Sequence, residues 1–541
     1  MMKQLVSVIF FLVTAFSALS QTSFNHPVPK NWFLLDPVQD SVQGVSAERA
    51  YQTVLKDQPS RTVIVAVIDS GVDIDHEDLK SVIWINEDEI ADNGIDDDKN
   101  GYVDDVYGWN FIGGKSGNVD ADTYELTREY IRLKAKYGNI ESDKIGKKQK
   151  AEYETYKQIE DKYQKLKAKN EQQYKLYANI YNNLVQSIDT LKARLHVDTL
   201  TAEAIKNFET NEPSLLFAKG FLLNMFKNMG PDESLDEYVG QLKEAVDYYE
   251  VIVKYGYNES FDSRQIVGDN INNINEKGYG NNDVKGPDPT HGTHVSGIIA
   301  ADRKNDLGIK GIADNVKIMV VRAVPNGDER DKDVANAIFY AVDNGAHIIN
   351  MSFGKSFSPN KEIVDKAVRY AEQKGVLLIH AAGNDAEDND TEKNFPSRIY
   401  DDGKEAKNWI EVGASAWGSD EDFVGSFSNY GKKSVSLFAP GVEIYSTVPD
   451  SKYKNESGTS MASPSTAGVA AMLMSYFPEF TAVEIKDILM KSSRKFDNLT
   501  VQKPGGGKTN FSQLSISGGL VNSYEAAKMA QELKQQKAIK K

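Results

Sequence analysis

The chain has 541 residues and a formal net charge of -16, room enough for more than one domain and a large buried core. That acidic balance excludes nucleic acid as a partner, because phosphate binding needs a basic face. Cysteine is absent, which excludes disulfide stapling and a lipid anchor carried on an N-terminal cysteine.

Residues 1–20 read as a secretory signal peptide. Lys3 supplies the charged start, 5–16 the apolar stretch, and Ala18, Leu19 and Ser20 the cleavage site. The stretch is short for a bilayer span and no later segment is apolar enough, so no stable membrane span is expected after its removal. The expected location is periplasmic or secreted. A lead-in follows over 21–60, with Trp32, Phe33, Leu34 and Leu35 as a docking patch.

From residue 61 the pattern becomes α/β. Residues 63–68 form a continuous apolar run, the mark of a strand buried on both faces, and similar runs recur at 316–321, 346–350, 376–380 and 410–412. Helical periods lie between them, at 334–344 and 363–373. This alternation predicts a mainly parallel central sheet with helices on both faces, a three-layer α/β fold.

The sequence from 96 to 105 is loaded with oxygen ligands. Asp96, Asp98, Asn100, the Tyr102 carbonyl and Asp104 stand at alternate positions with Gly101 at the sixth, the spacing of an EF-hand calcium loop. Position twelve is Tyr107 rather than glutamate. Another carboxylate is therefore needed, with Asp105 and Glu87 as candidates. The expectation is a structural Ca²⁺ that stabilises a chain without disulfides; the alternative is a solvated acidic turn.

Residues 120–260 interrupt the α/β pattern. Tyr153, Tyr156, Ile159, Tyr163 and Leu166 keep three-and-four spacing, as do Tyr174, Tyr177, Tyr181, Leu184 and Ile188. One long amphipathic helix or a helical hairpin is predicted, and 235–255 forms a returning helix. The expected organisation is a first α/β part at 61–119, a helical insertion at 120–260, a second α/β part at 261–525 and a helical tail at 526–541. The insertion either packs on itself or offers a surface to a protein partner.

Three short motifs carry chemistry. Asp69 ends the first buried strand before Ser70 and Gly71. His291 opens a helix, with Gly292, Thr293 and His294 behind it. Ser460 stands in the run Gly458, Thr459, Ser460, Met461, Ala462, Ser463, Pro464, at a tight turn into an apolar helix. A serine hydroxyl becomes a good nucleophile only beside a positioned base, which a carboxylate in turn orients. A fourth segment, Ala381, Ala382, Gly383 and Asn384, follows a strand and presents a side-chain amide after small residues. His294 reads as a helix packing residue. The run 504–509 ends like a phosphate-binding loop, but Gln502 occupies the place of its first glycine and the context is a polar loop, so it reads as a turn.

Together these motifs resemble the subtilisin (subtilase) family of serine proteases over 61–112 and 262–525. The resemblance implies a subtilisin-like fold and an acyl-enzyme mechanism, in which Asp69 orients the histidine, His291 is general base then acid, and Ser460 is the nucleophile. It implies that Asn384 and the Ser460 N–H stabilise the oxyanion. It also implies that Ser352, Phe353 and Gly354 bind an extended peptide, while Ala381, Ala382 and Gly383 line the pocket before the cleaved bond. Phe353, where smaller aliphatic residues are usual, favours an apolar or aromatic side chain there. Two departures stand out: Ser465 replaces the family's usual histidine, and 21–60 is short for an inhibitory prodomain. The expected function is an exported endopeptidase acting on proteins or peptides. The alternative is a catalytically silent scaffold that binds a partner through the insertion.

Overall fold

The computed structural model describes residues 28–228 and 234–539. The signal peptide expected over 1–20 lies outside the described residues. The chain divides into two compact units: Met1–Asp120 with Ser263–Lys541, and Ala121–Asp262.

The first unit is built on a nine-stranded sheet. Its strands, in chain order, are β1 (Val63–Asp69), β2 (Gly108–Asn110), β3 (Val316–Arg322), β4 (Ile348–Met351), β5 (Leu377–Ala381), β6 (Trp409–Ser415), β7 (Leu437–Pro440), β8 (Arg494–Lys495) and β9 (Gly519–Leu520). They lie side by side in the order β8-β9-β7-β6-β5-β4-β1-β3-β2. Every pairing is parallel except β8 with β9 at one edge.

The continuous apolar runs have a direct cause: both faces are covered. Val63, Val65 and Val67 of β1 join Ile318, Ile379 and Val412 in a core with helices α1 (Thr290–Ala300), α4 (Thr459–Tyr476), α5 (Ala482–Ser492) and α6 (Ser523–Ile539). Ala66 and Ile68 point the other way, with Met319, Ile349 and Leu378, against α2 (Asp331–Asp343) and α3 (Lys361–Lys374). The result is the expected three-layer α/β arrangement.

The lead-in belongs to this core. Trp32, Phe33 and Leu34 are fully buried, and the Trp32 indole N–H donates to the Glu443 carbonyl. The run that mimics a phosphate loop is the turn between paired strands Thr500–Gln502 and Lys508–Asn510.

The second unit is helical. The tyrosine-rich stretch forms one helix, Lys150–Leu195, of 46 residues. Its first half buries Tyr156, Ile159 and Tyr163, and its second half Leu184, Ile188 and Leu191. Helix Glu125–Tyr137 lies along the first half, where Tyr130 stacks on Tyr163 at 4.2 Å. Helices Pro213–Asn228 and Leu235–Val251 share an apolar core with the second half, through Leu222, Met225 and Leu242. The unit buries much of its own apolar stripe.

Candidate active site

The strand order explains where the motifs meet. β5, β4 and β1 are neighbours, so their C-terminal ends bring Ala381–Asn384, Ser352–Gly354 and Asp69 to one edge of the sheet. In an open α/β sheet that edge is where ligands bind. Helices α1 and α4 pack against each other on the same face and present His291 and Ser460 from their first turns.

Asp69 is 2 % exposed. Its Oδ1 accepts from His291 Nδ1 at 2.7 Å and from the Ser70 backbone N–H at 2.7 Å, while its Oδ2 is buried without a partner. A carboxylate cannot donate here, so Nδ1 of His291 carries a proton, and in the neutral ring Nε2 is the nitrogen left to act as base. Glycines permit this approach. A methyl carbon on Gly292 would sit 2.1 Å from the Gly71 carbonyl oxygen, and one on Gly71 (φ +123) would sit 2.2 Å from that of Lys285. Arg322, buried beside Asp69 in the β1/β3 register, donates to the Ser70 carbonyl at 2.7 Å and steadies the turn.

Burial opposes protonation of His291, but the Asp69 charge and hydrogen bond, helped by Glu456 and Asp288, outweigh it and push the pKa up to about 9. The side chain keeps 38 % exposure, so water on its open face weakens that pull. His294 behaves differently. Fully buried, its pKa is pushed down to about 4 by desolvation, and its Nε2 lies 3.2 Å from the Lys454 carbonyl, to which the neutral ring donates. It is a packing residue.

Ser460 is held from two sides. Pro464 has no N–H to give the Ser460 carbonyl, four residues back. The Ser352 hydroxyl donates to that carbonyl instead, at 2.9 Å. In return, the Ser460 hydroxyl donates to the Ser352 carbonyl at 3.0 Å. Ser352 is itself fixed by Asn350, whose Oδ1 accepts from Ser463. In this conformation the Ser460 hydroxyl is committed to Ser352. Ser465 donates to the Met461 and Pro440 carbonyls, a local role that needs no histidine.

Asn384 is exposed at the edge, with its amide oriented. Its Oδ1 accepts from the Thr459 backbone N–H and hydroxyl, each at 2.9 Å, which leaves Nδ2 as the outward donor. A methyl carbon on Gly458 would lie 3.4 Å from Asn384 Nδ2 and 3.5 Å from Ser460 N. Both nitrogens therefore lie close to Gly458.

The predicted peptide-binding segments line the same edge. Ser352 is buried and serves as the brace just described; Gly354 is exposed. The Phe353 ring packs on the α2/α3 side of the sheet, edge-on to His380 at 6.3 Å. Gly383 donates its N–H to Thr459 Oγ1, and a methyl there would strike Asn429 at 2.5 Å. Sequence reasoning missed Asn394. Its Nδ2 donates to the Ala381 and Ala382 carbonyls, each at 3.0 Å, and a methyl on Gly354 would meet its Oδ1 at 2.3 Å. It bridges the two segments from below.

In the acidic loop, Asp96 and Asp98 converge with Glu89, which the spacing did not single out. Asp104 turns away, its carboxylate accepting from the Asn93 and Gly94 backbone N–H groups. The Asn100 side-chain oxygen accepts from the Tyr102 N–H, and the Tyr102 ring sits in a cluster with Trp109, Phe111 and Tyr340. Asp105 is fully buried and accepts from Asn86, Asn100 and Tyr340. Glu87, the other candidate, is exposed.

Comparison with known proteins points one way. A model of the subtilase family matches residues 60–513. The chain is 40% identical over 237 residues to the thermophilic serine proteinase of Bacillus sp. strain AK1, covering 44% of this chain and 51% of that one. It is 41% identical over 186 residues to thermitase of Thermoactinomyces vulgaris, covering 34% and 61%. A solved protease of Pseudoalteromonas arctica aligns with a TM-score of 0.38 at 26% identity, over 46% of this chain and 78% of that one. The chain spans about half the length of the first of these curated relatives.

Proposed function

Because the chain belongs to the subtilase family, we propose that it is an exported serine endopeptidase, hydrolysing peptide bonds through Asp69, His291 and Ser460. The observation that carries this reading is the 2.7 Å bond from His291 Nδ1 to buried Asp69, on the same sheet edge as Ser460 and Asn384. That bond fixes the tautomer in which Nε2 can accept a proton.

The steps follow from these groups. An extended substrate strand lies along Ser352–Gly354 and brings its carbonyl carbon to Ser460. The Ser460 hydroxyl swings from the Ser352 carbonyl toward His291 Nε2, gives up its proton there and attacks. The developing oxyanion accepts from Asn384 Nδ2 and Ser460 N, a reading supported by the closeness of both nitrogens to Gly458. Protonated His291, stabilised by Asp69, passes its proton to the departing amine. Water, deprotonated by the same ring, then releases the acyl group and restores Ser460.

Export is supported by the signal-like residues 1–20. Among the described residues, no helix is long and apolar enough to cross a membrane.

The test is hydrolysis of an unfolded protein by the purified chain, with fragments sized by mass spectrometry. Cleavage that disappears in both Ser460→Ala and His291→Ala supports the reading. Cleavage that survives either substitution sinks it.

A further inference from the structure

We infer, resting on the peptidase reading, that the residue before the cleaved bond is selected for a short side chain carrying a hydrogen-bond donor. The selecting group is the Asn394 oxygen, which Glu411 and His380 hold toward Gly354 from behind the pocket wall.

His380 of β5 and Glu411 of β6 stand opposite each other on neighbouring strands, one residue short of Ala381. His380 is fully buried and Glu411 is 7 % exposed. A carboxylate withdrawn from water needs donors, and this one collects them from three side chains. The His380 Nδ1 lies 3.0 and 3.1 Å from its two oxygens, and the Trp409 indole N–H donates to Oε2 at 2.8 Å. The imidazole is in turn packed on Phe353 and Trp409, with ring centroids 6.3 and 5.2 Å away. The third donor is Asn394 Nδ2, 3.5 Å from Oε1.

These acceptors fix which way the Asn394 amide lies. Nδ2 also donates to the Ala381 and Ala382 carbonyls, each at 3.0 Å. Turned over, the amide would set its oxygen against two carbonyl oxygens and a carboxylate, none of which can donate. Oδ1 is therefore the atom on the Gly354 side, where a methyl carbon on Gly354 would meet it at 2.3 Å. A glycine at 354 leaves that oxygen its room.

The oxygen is open to a ligand. The Asn394 side chain donates three times and accepts from no described residue. Asn394 is half-buried, and Gly354 beside it is exposed. The Glu411 carboxylate at the Nδ2 end polarises the amide, which makes Oδ1 a stronger acceptor.

The preference follows from what an arriving side chain meets. Ala381–Gly383 and Gly354 bound the space proposed for the residue before the cleaved bond, and Asn394 bridges them. Serine or threonine brings a hydroxyl proton to Oδ1. Alanine or valine covers the same oxygen and leaves it without water or a donor. Discrimination of this kind comes chiefly from the polar group left unpaired by the wrong substrate.

The experiment uses the full chain on peptides that differ only before the designed cleavage point, serine against alanine and threonine against valine. Fragments are mapped by mass spectrometry, with Ser460→Ala as control. In each pair the hydroxyl peptide should have the higher kcat/KM, by about 10-fold. Asn394→Leu, similar in shape but without the oxygen, should bring both ratios to about 1. Glu411→Gln, similar in size but without the charge, should lower both ratios part of the way, a change that lost stability alone would not produce. Ser460-dependent cleavage with equal or inverted ratios in the parent overturns the inference and leaves the peptidase reading standing. Parent ratios retained in folded Asn394→Leu, or unmoved in folded Glu411→Gln, also overturn it. The parent ratios need no variant, so they decide the matter if neither variant folds. No Ser460-dependent cleavage of any peptide overturns the peptidase reading and this inference with it.

Discussion

Ser352 and Ser460 hold each other by exchanged hydrogen bonds: the hydroxyl of each donates to the carbonyl of the other, at 2.9 and 3.0 Å. The exchange exists because Pro464 leaves the Ser460 carbonyl without its helical donor. Ser352→Ala removes that donor and leaves a buried carbonyl short of a partner, a cost of about 1–3 kcal/mol. The expected result is a fall in kcat of about 10-fold or more with KM little changed, since the nucleophile loses its fixed position. Steady-state kinetics on a short peptide substrate check it. A variant with unaltered kcat would remove Ser352 from this role.

The pH dependence follows from His291. Its pKa is raised above the ordinary 6.5, toward about 9, so the protonated ring paired with Asp69 favours the folded state. That contribution is fully present below pH 6.5 and is lost as pH rises through about 9. Catalysis needs the neutral ring, so activity rises over the interval in which this stabilisation fades. The acid limb of kcat/KM should have its midpoint above 6.5, short of 9 because the half-exposed ring is partly screened. Asp69→Asn should move the midpoint back toward 6.5. A parent midpoint below 6.5 contradicts the account.

Asn394 ties the Ala381–Gly383 segment to Gly354. Its amide is bonded to one wall and its oxygen abuts the other. With Asn394 occupying that space, the residue before the cleaved bond should have a short side chain, in place of the apolar or aromatic one that Phe353 suggests. Asn394→Gly should raise kcat/KM for phenylalanine relative to alanine at that position by about 10-fold or more, the usual worth of added pocket volume. A paired peptide library reads the ratio; no change would take Asn394 out of the pocket.

The lead-in should stay with the active enzyme. Trp32, Phe33 and Leu34 are buried in the same core as α4 and α6, Trp32 meets Trp417 edge-on at 5.9 Å, and Ser523 donates its N–H to the Val45 carbonyl. Removing such a segment exposes core rather than an active site. N-terminal sequencing of active protein should find a start before Trp32, and Trp32→Ala should lower stability by about 3–5 kcal/mol. A start beyond residue 36 would overturn this.

Sequence periodicity reads the centre of the sheet well because β1, β3, β5 and β6 are apolar on both faces. It misses β2, β7, β8 and β9, which are two to four residues long, too short to carry a pattern. Motifs of small residues around Asp69, His291 and Ser460 are legible because close approach forbids larger ones. Asn394, Glu89 and the bracing role of Ser352 are not. Each reaches its place through loop or strand packing across distant segments, and no spacing along the chain encodes that meeting. The EF-hand spacing finds Asp96 and Asp98 but not Glu89, which comes from an earlier turn, while the Asp104 carboxylate accepts from Asn93 and Gly94.

The central claim is that Ser460 is an activated nucleophile. Covalent labelling of the purified chain by a fluorophosphonate probe tests it most directly, with Ser460→Ala alongside. The account predicts labelling of one serine, mapped to Ser460, lost in Ser460→Ala and strongly reduced in His291→Ala. Folded protein that takes no label at a pH above the His291 limb, or takes it equally well in Ser460→Ala, would contradict it.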